Sequence, residues 1–172
     1  AQVEVGIYSS EDTPLQGPDG QMMANQTLTV TKNPRWRVTV PGRIVEGQLT
    51  TEVIEAIQLR HVLPTWGLLG VNYAFEFHRA RLRMSLKPDG TLTGQLAAYR
   101  PIDNIFTVGR CCKGTASTAN TDCASEHKTL AAMADGYPDS DTGQCTMISS
   151  ATNISGVPVF IASAAGEVSS RR

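Results

Sequence analysis

Lysine is scarce in this chain: Lys32, Lys87, Lys113 and Lys128 stand against eleven arginines in 172 residues. Lys+Arg 15 nearly balance Asp+Glu 16, for a net charge of -1. A nucleic-acid binder usually carries a strongly basic footprint, so this balance argues against one. No apolar run approaches the roughly 18 residues a membrane-spanning helix needs. Catalytic signatures are missing as well. The chain has no G-x-S-x-G, H-E-x-x-H or P-loop spacing, and no C-x-x-C-H for haem attachment. These absences lean away from an enzyme.

What the chain does hold is threonine and serine, eighteen and twelve respectively, punctuated by Gly 15 and Pro 9. Thr and Val suit a pleated surface better than a long helix. The composition predicts a mainly β fold, an antiparallel sandwich or barrel-like sheet with one short helix near 124–134. One domain is expected over 1–161, with 162–172 as a flexible tail of small and polar residues. The chain opens on Ala1-Gln2 and is already alternating by Val3, which fits a processed or excised polypeptide.

Alternation marks the strands. Val3, Val5 and Ile7 share a face. Thr27–Thr31 alternates, as does Arg35–Val40, where Trp36, Val38 and Val40 take the core side and Pro41-Gly42 is expected to end the run. Gly17-Pro18-Asp19-Gly20 spells a tight turn. The stretch 51–63 fits either a short helix or a strand, and its β-rich surroundings favour the strand. Lys87-Pro88-Asp89-Gly90 closes a hairpin over 74–99. On its first strand Phe75 and Phe77 hold the odd phase, whereas Leu82, Met84 and Leu86 hold the even one. A period-two pattern changes face only through an extra residue, so a bulge or bend is expected near His78–Ala80. Pro101–Val108 reads as a loop. Ala124–Ala134 is the one expected helix, ended by Gly136 and Pro138, and 145–150 and 157–161 read as closing strands.

All four cysteines, Cys111, Cys112, Cys123 and Cys145, fall within a Gly/Ser/Thr/Asp-rich region, 109–148, that is poor in large apolar groups. Such a segment gains little from core burial, so two disulfides are expected to pin it. A vicinal Cys111–Cys112 bond is strained, which favours one of that pair bonding Cys123 and the other Cys145. The spacing lacks the C-x2-C knuckles of a zinc site. Disulfides imply an extracytoplasmic setting: periplasmic, secreted or cell-surface.

Three groups of residues are candidates for binding. Asp135, Asp139 and Asp141 offer hard oxygen ligands on a tight turn, which suits Ca²⁺ as the one cofactor to consider, although the spacing is not that of an EF-hand. Arg79, Arg81 and Arg83 line one strand face and suit an anionic ligand or partner. Trp66, in a Pro-Thr-Trp-Gly turn, suits stacking on a glycan. The function these features favour is a non-catalytic structural or binding module that docks onto a larger protein assembly. A small-ligand or carbohydrate-binding β-domain is the alternative. A hydrolase or redox enzyme using His127 with Asp135 or Asp139 is the least supported.

Overall fold

The computed structural model describes residues 1–62, 72–109 and 123–163. Its centre is an antiparallel sheet of eight strands, curled into a half-barrel. The strands are β1 (Gln2–Tyr8), β3 (Arg37–Val45), β4 (Gln48–Thr51), β5 (Ile54–Val62), β6 (Asn72–Leu86), β7 (Leu92–Pro101), β8 (Gly136–Pro138) and β9 (Cys145–Gly156). They run in the order β1-β3-β4-β6-β7-β9-β8. β5 also pairs with β6. At 15 residues β6 is long enough to serve both: its C-terminal part pairs with β4 and its N-terminal part with β5. The ambiguous stretch from residue 51 is therefore strand.

The expected bulge is present. His78 pairs with Tyr99 and Arg81 with Ala97, so three steps on β6 oppose two on β7. Arg79 absorbs the extra residue at φ +46°, in the left-handed region. Above it Phe77 is buried; below it Ala80 and Met84 are buried. The single inserted residue keeps both apolar phases on the inner face. They join Val40, Ile54, Ile57, Leu96 and Ala98 in one core.

Three expectations are corrected. Pro41-Gly42 does not end β3, which continues to Val45. The carbonyl of Pro41 accepts from Glu52 just past the end of β4, so the missing proline N–H faces a place where the partner strand has already stopped. Gly42 allows close approach, because a Cβ there would lie 2.9 Å from the Val5 side chain. The segment after Pro101 is not a loop but helix α1 (Ile102–Gly109). Ile102 is buried, and the Asn104 amide donates to the Ala74 carbonyl at 2.7 Å and accepts from the Glu76 N–H at 3.0 Å. Asn104 thus satisfies the edge of β6 where β7 has departed. The expected helix near 124–134 is α2 (Cys123–Ala132). Trp36, expected in the strand, lies in a 3-10 turn (Pro34–Trp36), half-buried, with Arg35 stacked 5.1 Å from its ring centre.

A second, small sheet pairs β2 (Thr27–Val30) in parallel with β10 (Phe160–Ser163). The chain just beyond β1 binds the free edge of β2: Thr31 N–H donates to Ser9 at 3.0 Å and Glu11 N–H to Thr29 at 2.9 Å. The Ser9 hydroxyl in turn accepts from the Arg60 N–H of β5. β10 follows β9 after three residues. The strip is therefore held at one edge by the continuation of β1 and at the other by the continuation of β9, and it spans the mouth of the curl. β10 takes in Ala162 and Ser163, the first two residues of the expected tail, whose remainder lies outside the described residues.

Candidate ligand-binding site

Strip and half-barrel do not close on each other. Between them lies a hollow of about 460 Å³, in the range of small-molecule sites. Its floor is the inner face of the sheet: Val5 and Ile7 from β1, Leu49 from β4, Ile54, Ile57 and Leu59 from β5, Leu82 and Met84 from β6, Leu92 and Leu96 from β7, and Ile154 from β9. Leu28 and Val30 of β2, with Val159 and Ile161, form the roof. Alternation makes this lining apolar. The inward phase of most strands is Val, Ile, Leu or Met where it meets the hollow, while β1 adds Gly6 and Tyr8 and the chain beyond it Ser10. Tyr8 and Ser10 supply the polar side chains of the lining, too few to hold much ordered water.

One cation shares this inner face. On β7 the inward phase runs Leu92, Leu96, Ala98 and then Arg100, whose guanidinium lies 5.3 Å from the Phe75 ring centre and 5.6 Å from that of Phe77. Phe75 and Phe77 of β6 pair with Leu59 and Ile57 of β5, both in the wall of the hollow. The Arg100 Nε is buried without a hydrogen-bond partner. Burial alone pulls this guanidinium below its ordinary pKa. The sequence reading missed Arg100. Its signal was there, a lone charge in step with Leu96 and Ala98.

On the outer face, Arg81 and Arg83 line a broad, open depression together with Arg43, Thr50, Glu4 and Glu52. Arg43, Thr50 and Arg83 form one cross-strand row. Among the described residues none of the three arginines forms a salt bridge. Arg79, at the bulge, is not among the residues lining this depression. Further along the same face Glu76 and His78 pair at 2.7 Å, with the ring of Tyr137 against both His78 and Tyr99.

Asp135 and Asp139 already have hydrogen-bond donors, Asp135 from β9 and Asp139 within its own turn. Side-chain and backbone hydrogen bonds from Ser149 hold the Asp135 carboxyl below the usual range. Backbone and hydroxyl donors of Thr142, then the Asp141 N–H, do the same for Asp139. Among the described residues no three His, Cys, Asp or Glu side chains gather closely enough to hold a metal ion. His127 faces neither Asp135 nor Asp139: it meets Asp103 of α1 at 3.0 Å, edge-on to Phe106. Cys145 is half-buried at the start of β9, and no disulfide is seen among the described residues. Trp66, Cys111, Cys112 and the side chain of Cys123 lie outside the described residues.

Compared with known proteins, the chain matches no family model, no curated protein and no solved structure.

Proposed function

We propose that this chain is a non-catalytic binding domain that takes a small apolar ligand between its half-barrel and the strip across its mouth. One observation carries the reading: a hollow of about 460 Å³ whose walls are almost wholly aliphatic. An open concavity of this size with an apolar lining is the common form of a small-molecule site, which favours a ligand that fills it. The test is saturable fluorescence enhancement of a neutral naphthylamine dye. Wild-type protein is expected to bind the dye. Ile154→Trp, which fills the hollow from β9, is expected to abolish binding while the protein keeps its thermal unfolding transition. Dye binding that survives the filling would overturn the reading.

A second reading, docking onto a larger assembly, rests on a different surface. Leu15, Met23 and Phe160 are 61%, 50% and 62% exposed. Gln26 gathers them: its side chain bonds the backbone of Leu15 and Met23, and its carbonyl accepts from Phe160. A cluster of exposed large apolar groups at one place favours a protein contact. Loss of co-purification with an assembly on Phe160→Ser, with dye binding unchanged, would separate this role from the first. For both roles we place the domain outside the cytosol, with disulfides pinning the region around α2, because four cysteines fall in a segment with little apolar material of its own.

A further inference from the structure

From the position of Arg100 we infer that the ligand is a single-chain amphiphile with a carboxylate head, its chain in the hollow and its head on the Arg100 guanidinium. This rests on the apolar-ligand reading above and adds the class of molecule. Arg100 is half-buried and its Nε is buried without a hydrogen-bond partner, and a cation partly withdrawn from water gains from an anionic partner. Among the described residues Arg100 has two aromatic faces and no carboxylate. Glu76, the nearest acid along β6, stands in the opposite phase to Phe75 and Phe77 and is engaged with His78. The outer arginines differ, because an exposed cation gains little from a partner while a half-buried one gains more. The guanidinium lies over both phenylalanine rings, and its planar fork of N–H donors matches a carboxylate in shape as well as charge.

Geometry ties head to tail. Arg100 contacts Phe75; Phe75 faces Leu59; Leu59 lines the hollow. The charge therefore stands one side chain away from the apolar wall, at the end of the inner face where β7 gives way to α1. A molecule with a flexible hydrocarbon tail and one anionic end satisfies both features together.

The experiment compares dodecanoate and dodecanol as competitors for the bound dye at neutral pH. Wild type is expected to prefer the acid by about tenfold, which is ~1.4 kcal/mol. Arg100→Gln is expected to lose that preference while its affinity for the alcohol stays within about twofold. Arg100→Lys, which keeps the charge but not the fork, is expected to retain an intermediate preference and guards against a Gln variant that does not fold. Equal binding of acid and alcohol by wild type would overturn the inference and leave the apolar site standing. Displacement by neither competitor would do the same. Failure of the dye itself to bind would remove both.

Discussion

The backbone N–H of Thr29 donates to the carboxylate of Asp12, tying the middle of β2 to the chain that leaves β1. This bond helps hold the roof of the hollow. It depresses the Asp12 pKa, with the backbone of Thr29 as the largest cause. A carboxyl whose folded pKa lies below its unfolded one stabilises the protein above the unfolded value, and that stability fades as pH falls through the folded value. Asp12→Ala is therefore expected to lower the thermal midpoint at neutral pH. The gap from wild type should close as pH drops below the ordinary 3.8. A gap that stays constant down to the acid limit would show that Asp12 does not act through its charge.

Arg79 tests the bulge. Its side chain is exposed and its backbone sits at φ +46°, where glycine carries no Cβ penalty. Arg79→Gly is expected to be neutral or stabilising by up to about 1 kcal/mol in a denaturant titration. Deleting residue 79 is expected to prevent cooperative folding, because it turns one apolar half of β6 outward. A deletion variant that melts like wild type would show that the phase change is accommodated elsewhere.

Asn104 stands in for a missing strand. Asn104→Ala leaves the Ala74 carbonyl and the Glu76 N–H at a half-buried edge without their partner. The expected cost is about 1–3 kcal/mol, read as a lowered unfolding midpoint. Asn104→Asp, which keeps the acceptor and loses the donor, should fall between. An unchanged midpoint in the alanine variant would mean that α1 is placed by Ile102 alone.

The disulfide proposal has a direct measurement. Intact mass of non-reduced protein is expected to fall about four hydrogens below that of the reduced chain, one per thiol. Trapping of Cys145 by iodoacetamide in freshly purified native protein would sink the two-bridge arrangement, and the extracytoplasmic placement would go with it.

Alternation and turn chemistry determined a good deal before any coordinates. The odd-to-even switch between Phe77 and Leu82 located the bulge, and Pro88-Asp89-Gly90 located the hairpin, because both signals are local and act within a few residues. Tertiary structure alone decided the rest. Pro41 stays in a strand because β4 ends beside it, Ile102–Gly109 becomes a helix because β6 offers an edge to cap, and Thr27–Val30 meets Phe160–Ser163 across most of the chain. Arg100 was visible as a charge in an apolar phase. Its meaning was not, since only the curl of the sheet brings Phe75, Phe77 and the hollow to the same place. Period and propensity act between neighbours, whereas a cavity is made by strands far apart in sequence that the closing sheet brings face to face.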